Sequence, residues 1–264
     1  MTTGNRLRDI LNENGKSLAT RISSRWGMTT ELAAACGCYD YVEYLLEYAP
    51  FQVEDLENLA RTCELHGMGS IAKVDFQNRG WWSQKALAAG IQGILFTDCK
   101  SPAEVEECIA LTMPDSPAYG GRFGFSNYRW IGAKPVTSQT DYAAVMANSV
   151  RIFMIEKKDA VDRIEEICCI PGVDMIQFGP ADYSMSCGRD VSDPAWTEHR
   201  KEAERHCIRT ALSHGVQPRC EIESPADAKY YADLGVKHFC LGDEMKILRG
   251  WWRENGQALR NSLF

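Results

Sequence analysis

The chain has 264 residues, of which 45% are hydrophobic and 25% charged, with 29 Lys and Arg against 36 Asp and Glu. This composition excludes a disordered, collagen-like or low-complexity chain, and the net charge of −7 argues against a general nucleic-acid or anionic-membrane surface. No run reaches the ~18 uncharged apolar residues of a membrane span, and the first residues lack the apolar core of a secretory signal. We therefore expect a cytoplasmic protein that binds neither nucleic acid nor membrane.

Short β-rich apolar runs alternate with segments of helical period along the chain. The predicted strands cover residues 20–23, 41–46, 70–74, 93–96, 150–155, 174–178, 216–222 and 238–241, and the first is the weakest. Helical segments between them include 53–67, 101–113, 159–170, 196–215 and 224–235. Eight strand–helix units predict one (β/α)8 TIM barrel domain over residues 1–264. A doubly wound open sheet is the alternative, but the sequence contains no glycine-rich nucleotide-binding motif.

Two segments depart from this alternation. Residues 114–142 are rich in Gly, Pro, aromatic residues and Arg, and long loops of this kind in compact domains are usually functional. Residues 244–264 carry Trp251, Trp252, Leu259 and Phe264, which is much apolar surface for a chain end. We predict a C-terminal helical tail that packs on its own barrel or on a neighbouring subunit.

The eleven cysteines are scattered, and no two have C-x-x-C spacing. Most lie inside apolar runs, which indicates small buried hydrophobic residues rather than redox centres. Cys36 and Cys38 form a close pair, but a zinc site there would need ligands from elsewhere in the chain. Neither zinc binding nor thiol catalysis is therefore expected.

In a parallel barrel, chemistry is located at the carboxyl ends of the strands. The predicted strand ends carry an unusually regular set of charged residues: Glu47, Lys73, Asp75, Asp98, Glu156, Lys157, Lys158, Asp182, Glu221, Glu223, Asp243 and Glu244. For most of them, a salt bridge to a neighbouring helix is an equal alternative to a functional role. The histidines lie away from the predicted strand ends, so a histidine-rich zinc site is not expected.

Glu156 and Asp182 are the exceptions to that alternative. Glu156 ends the apolar strand VRIFMI, and Asp182 lies in FGPADYS, where a Gly-Pro turn follows the next strand and lets backbone amides approach a ligand. Two carboxylates at neighbouring strand ends, with no cation fixed between them, repel one another unless a cation binds. The pair therefore predicts a divalent metal site for Mg²⁺ or Mn²⁺.

The segment IPGVDMIQFGPADYS at 170–184, the upstream MIE at 154–156 and EYAP at 47–50 resemble the HpcH/HpaI aldolase family. The resemblance extends over roughly residues 31–250. It implies a (β/α)8 barrel, a Mg²⁺-, Mn²⁺- or Co²⁺-dependent aldolase acting on 2-oxo acids, and a homo-oligomer, commonly a hexamer. In that assembly the C-terminal helix packs on a partner.

By this resemblance, Glu156 and Asp182 are the metal ligands. Gly179, Pro180, Ala181 and Asp182 match the loop whose backbone amides receive the substrate carboxylate. Residues 121–124 and 126–130 match the loop lining the entrance. Arg122 is therefore predicted to bind an anionic group of the substrate, and Arg129 is a second candidate. For both arginines, a solvated position or a contact between subunits is an equal alternative.

The chain departs from the family pattern where protons are handled. Tyr48 replaces the family's histidine, Leu45 its paired aspartate, Lys73 an arginine at the third strand, and Met154 a glutamine. We interpret Lys73 as a point charge beside the enolate oxygen, with a general base or a Schiff-base lysine as alternatives. Tyr48 is the candidate proton donor, with a simple aromatic pocket wall as the alternative.

The sequence therefore predicts a metal-dependent carbon–carbon lyase of a 2-oxo acid that releases pyruvate or a close analogue. A decarboxylase or an acyl-condensing enzyme would use the same enolate. A non-catalytic barrel that binds a carboxylate ligand is the third hypothesis, because the family's histidine dyad is missing.

Overall fold

A computed structural model describes residues 4–125, 129 and 138–263. Eight parallel strands follow one another around a closed barrel in chain order, and β8 pairs with β1. The strands are β1 Ser17–Ile22, β2 Tyr41–Leu45, β3 Gly69–Val74, β4 Gly93–Phe96, β5 Val150–Ile155, β6 Met175–Phe178, β7 Gln217–Ile222 and β8 His238–Asp243. The predicted (β/α)8 barrel is confirmed, and the open-sheet alternative is wrong.

The first strand begins earlier than predicted, at Ser17 rather than at residue 20. Its start pairs with β8, where Ser17 lies opposite His238 and the two side chains form a hydrogen bond of 2.8 Å. The sequence does not indicate the start of this strand, because Ser17, Thr20 and Arg21 are polar and interrupt the apolar run. Pairing with a distant strand, rather than local apolarity, fixes this boundary.

Most of the helices cover the outer face of the barrel, whereas the first closes its amino-terminal end and the last extends away from it. They are α1 Arg6–Asn12, α2 Gly27–Ala35, α3 Val53–Leu65, α4 Arg79–Ala89, α5 Pro102–Thr112, α6 Gln139–Ala147, α7 Lys158–Asp162, α8 Ile164–Cys168, α9 Pro180–Ser186, α10 Pro194–Ser213, α11 Ala228–Asp233 and α12 Glu244–Leu263. The predicted helix at 159–170 is interrupted at Arg163, whose φ of −118° and ψ of 21° are not helical. Ser101 begins α5 with a capping box that it forms with Glu104.

The barrel interior combines an apolar layer with a buried ion pair. Leu7 of α1 packs inside against Tyr41, Ile71 and Leu95, which closes the amino-terminal end of the barrel. Nearer the middle, Arg219 of β7 and Glu43 of β2 are both fully buried and form a salt bridge across the interior. Arg219 Nε also donates a hydrogen bond of 2.8 Å to Tyr41 Oη. Such a pair requires strands from opposite sides of a closed sheet.

Seven of the eleven cysteines are buried, as predicted. Cys36, Cys38 and Cys169 are exposed, so for these three the prediction of burial is wrong. Cys36 and Cys38 follow the end of α2 on the surface, where they cover no core. Within the described ranges, no three His, Cys, Asp or Glu side chains converge on a point where they could hold a metal ion.

The C-terminal helix α12 extends away from the barrel. The helix contacts β1 and β8, but it contains no buried residue. Trp251 and Trp252 are 63% and 62% exposed. Packing of the tail on its own barrel is therefore wrong, while packing on a neighbouring subunit stays a prediction. Phe264 lies outside the described residues.

Among the residues that the structure describes, no helix combines the length and the apolarity needed to cross a bilayer.

Candidate active site

The carboxyl ends of β2, β3, β5 and β6 bring together most of the predicted site residues. Lys73 is the next-to-last residue of β3, and Tyr48 lies three residues beyond the end of β2. Glu156 directly follows β5, whereas Asp182 lies in the first turn of α9, just beyond β6. The charges of Lys73 and Asp182 both act on the pKa of Glu156, as expected of side chains at the same mouth of the barrel.

Glu156 is the most deeply buried carboxylate at the mouth, with 4% of its surface exposed. Its Oε1 accepts a hydrogen bond of 2.8 Å from the backbone N–H of Asp98. Burial raises the pKa of Glu156 to about 7, although this hydrogen bond and the charge of Lys73 act in the opposite direction. A buried carboxylate with a raised pKa is a group that gains from a bound cation.

Gly179 is required by the close approach of the Glu156 side chain. A Cβ at position 179 would lie 2.6 Å from both Cβ and Oε2 of Glu156, which no side chain can tolerate. The N–H of Gly179 donates to Ile155 O at 3.1 Å, and Pro180 has no N–H. Gly179 and Pro180 therefore shape the turn, and the amides of Ala181 and Asp182 are the ones left at the start of α9.

Asp182 has a cationic partner, Lys157, that was not predicted from the sequence. The Nζ of Lys157 lies 3.0 Å from Oδ1 of Asp182 and 2.5 Å from Oδ1 of Asp98. Burial alone would lower the pKa of Lys157, but its contacts with the two carboxylates raise it. The sequence signal was present, since two lysines follow Glu156 directly, but the partners of Lys157 follow other strands.

Lys73 forms the other half of the site with Glu47 and Tyr48. Its Nζ donates a hydrogen bond of 2.7 Å to Tyr48 Oη and lies 2.9 Å from Glu47 Oε2. The same ammonium lies 4.5 Å from the centre of the Tyr48 ring. The sequence placed Glu47 at a strand end but did not pair it with Lys73.

These contacts decide the charge states of Lys73 and Tyr48. Burial acts to lower the pKa of Lys73, but the Tyr48 hydroxyl and the Glu47 carboxylate more than offset it and raise the pKa. Although Tyr48 as a whole is 64% exposed, burial of its hydroxyl raises the pKa of Tyr48 to about 12, and the charge of Lys73 acts in the opposite direction. At neutral pH both groups are therefore protonated, which argues against Lys73 as a general base or Schiff-base nucleophile.

Arg122 does not lie at the mouth, which corrects its predicted role in substrate binding. Its backbone N–H donates a hydrogen bond of 2.7 Å to Ala110 O in the last turn of α5. This turn lies at the opposite end of the barrel from the carboxyl ends of the strands. Arg129 is at that end too, because it bonds Glu64 near the end of α3 at 2.7 Å. Residues 126–128 and 130–137 of the predicted entrance loop lie outside the described residues.

Several other strand-end charges have structural partners. Arg21 of β1 contacts Glu221 at 2.6 Å and Asp243 at 3.6 Å. Glu244 Oε2 accepts hydrogen bonds of 2.9 Å from the backbone N–H groups of Ser23 and Ser24. For these acids, the salt-bridge or capping interpretation is the one that the contacts favour.

The donor set at Glu156 and Asp182 is compatible with a hard divalent cation. Both side chains supply carboxylate oxygens, and an ammonium already neutralises one of them. Glycine at 179 leaves space beside Glu156 Oε2. Because the described residues offer no third converging ligand, water and substrate oxygens would complete the coordination.

We predict that Glu156→Gln stabilises the metal-free protein at alkaline pH. The folded-state pKa of about 7 lies above the ordinary value of 4.5, so the native state of the unaltered protein loses stability as pH rises from 4.5 to 7. Near pH 8 this costs roughly 3 kcal/mol. Urea unfolding in EDTA measures this difference. The free energy of unfolding of the variant should exceed that of the unaltered protein by roughly 3 kcal/mol near pH 8 and by much less near pH 5. Glu165→Gln, at an exposed site on α8, is the control, and a pH-independent difference for Glu156→Gln would contradict the burial of its charge.

Known proteins resemble this chain in sequence and in fold. The sequence profile of the HpcH/HpaI aldolase/citrate lyase family matches residues 34–228. A hydroxypyruvate/pyruvate aldolase of Paraburkholderia phytofirmans is 25% identical over 253 residues, covering 94% of this chain and 95% of the relative. A 2-dehydro-3,6-dideoxy-6-sulfogluconate aldolase of Pseudomonas putida is 25% identical over 187 residues, which cover 70% of each chain. The crystal structure of an HpcH/HpaI aldolase from Desulfitobacterium hafniense superimposes with a TM-score of 0.84 at 19% identity, covering 96% of both chains. The chain belongs to the HpcH/HpaI aldolase/citrate lyase family.

Proposed function

We propose that this protein is a divalent-metal-dependent lyase that cleaves a 2-oxo acid through an enolate and releases pyruvate or a close analogue. The observation that carries the proposal is the buried carboxylate of Glu156, held at the end of β5 beside the turn that presents Asp182. Aldolase names among the relatives and membership of the family support the reaction class.

Glu156 and Asp182 would hold the metal, which can be Mg²⁺, Mn²⁺ or Co²⁺. A divalent cation in this position supplies Lewis-acid stabilisation to the 2-oxo and carboxylate oxygens of the substrate. The amides of Ala181 and Asp182 at the start of α9 can donate hydrogen bonds to the substrate carboxylate. Gly179 and Pro180 contribute to substrate binding by bringing that turn close to Glu156.

Lys73 contributes a fixed positive charge. Its ammonium is held by Tyr48 and Glu47, and it stabilises negative charge that develops on the enolate oxygen. Tyr48 remains protonated and can donate its proton or a hydrogen bond. Glu47 supplies the negative charge of this group, and its ion pair with Lys73 keeps the lysine charged.

We predict that Glu156→Gln and Asp182→Asn each lower the rate of pyruvate release by at least about 100-fold. The physical reason is the loss of Lewis-acid stabilisation, which is worth several kcal/mol. The measurement is a coupled pyruvate assay on a panel of 4-hydroxy-2-oxo acids, with and without EDTA.

Lys73→Arg should retain more activity than Lys73→Met in the same assay, because the positive charge is kept. Glu165→Gln is again the matched control, and undiminished turnover in EDTA would contradict the proposal.

A metal-dependent decarboxylase is the second candidate, and one observation favours it. Lys73 and Tyr48 are both protonated at neutral pH, so neither can act as the base that a retro-aldol reaction needs. Decarboxylation of a 2-oxo acid with a carboxylate on its third carbon reaches the same enolate without proton abstraction. Comparing release of CO₂ from 2-oxo acids that carry a carboxylate on the third carbon with release of an aldehyde from the 4-hydroxy-2-oxo acids separates these candidates. Ligand-induced thermal stabilisation without turnover on any substrate would indicate a carboxylate-binding barrel instead.

We also propose that the protein is a homo-oligomer in which α12 packs on a second copy. Large apolar residues recur on one face of this helix and are all exposed in the single chain: Met245, Leu248, Trp252, Leu259 and Leu263. A solvated stripe of this size is unusual for a monomer and typical of an interface.

Replacing both Trp251 and Trp252 with Ala should therefore dissociate the oligomer. Sedimentation velocity provides the measurement, and the expected result is a shift to the monomer mass with unchanged circular dichroism. Gln257→Ala, which alters an exposed polar position on the same helix, is the control. A monomeric unaltered protein would contradict the proposal.

A further inference from the structure

Lys157 connects two carboxylates that lie beyond the ends of two different strands. Its ammonium contacts Asp98, two residues beyond β4, and Asp182 in the first turn of α9. The lysine side chain is 13% exposed, whereas the side chains of Asp98 and Asp182 are 33% and 36% exposed. This ammonium is therefore a largely buried cation, and it binds a carboxylate that the proposed function assigns to the metal.

Asp98 holds the other end of this arrangement in a rare backbone conformation. Its φ is +60°, and Asn14 is the one other non-glycine residue with positive φ in the described ranges. That conformation directs the N–H of Asp98 to Glu156 Oε1 at 2.8 Å. The same residue therefore positions one proposed ligand through its backbone and binds the lysine through its carboxylate.

The surroundings give the lysine room to move. A cavity of about 530 Å³ adjoins the mouth, and both Asp98 and Lys157 line it. The described residues do not provide three converging ligands for a metal, which makes Asp98 a poor candidate for direct coordination. A divalent cation on Asp182 and an ammonium on the same carboxylate would repel each other, and Asp98 is the anion on which the ammonium can remain.

We infer that Lys157 is an internal counter-ion that competes with the divalent metal for Asp182, and that Asp98 retains its ammonium when the metal binds. Lys157 then lowers the affinity for the metal, and Asp98 raises it. This inference rests on the proposed function, because it takes Glu156 and Asp182 as the metal ligands.

Calorimetric titration of the full-length protein with Mn²⁺ near pH 8, without substrate, tests the inference. Lys157→Met should tighten Mn²⁺ binding by roughly tenfold, the scale of effects from groups that contact metal ligands. Asp98→Asn should weaken it, because the ammonium then has Asp182 as its remaining partner. Asparagine keeps the backbone N–H and tolerates positive φ, so the hydrogen bond to Glu156 is preserved. In a protein that already carries Lys157→Met, adding Asp98→Asn should change the Mn²⁺ affinity little.

Lys158→Met is the matched control, since it removes the same charge from an exposed neighbour that pairs with Asp162. At about 0.15 M salt its effect on Mn²⁺ affinity should be small. The inference would be overturned if Asp98→Asn changed the Mn²⁺ affinity equally in the presence and absence of Lys157. It would also be overturned if Lys157→Met did not tighten Mn²⁺ binding. If the unaltered protein binds Mn²⁺ in a manner that Glu156→Gln abolishes, the proposed function survives that result. Absence of binding to every one of these proteins would reject both.

Discussion

Pairing of β8 with β1 closes the sheet, and the remaining features of the molecule depend on that closure. The ion pair between Glu43 and Arg219 can form because β2 and β7 face each other across the interior. Together with the apolar layer around Leu7, this pair fills the barrel and excludes water from it. Closure also brings all carboxyl strand ends to one mouth, where charged side chains from separate segments meet.

Desolvation at this mouth accounts for the electrostatics of the site. Glu156 stands at the boundary of a packed interior, so its ionised form lacks the water that would stabilise it. Lysines flank it on two sides, with Lys73 toward β2 and Lys157 toward β6. The arrangement is a buried anion with cations at its edges, and this environment suits a hard cation and an anionic substrate that bind together.

The two lysines differ in what holds them. Lys73 is fixed by Glu47 and by a neutral tyrosine hydroxyl, neither of which is a proposed metal ligand. Lys157 is shared between Asp98 and Asp182, one of which the proposed metal would claim. Lys73 is thus suited to a constant role in stabilising negative charge, whereas Lys157 is suited to exchange.

The sequence was sufficient for features that depend on neighbours along the chain. Strands buried on both faces are rich in apolar residues, as in β4 and β5, and seven of the eight strands lie close to where they were predicted. Glu156 and Asp182 could be placed at the mouth because each follows such a run. Contacts between distant segments were not predictable. Arg122 lies at the far end of α5, and the carboxylates that bind Lys157 follow two other strands, β4 and β6.

The most direct test is a crystal structure with Mn²⁺ and a non-reactive 2-oxo acid analogue, with the metal located by anomalous scattering. The expected result is one strong peak within coordination distance of both Glu156 and Asp182, with analogue oxygens completing its shell. A peak elsewhere in the barrel, or a fully occupied analogue bound without metal at these carboxylates, would contradict the proposed site.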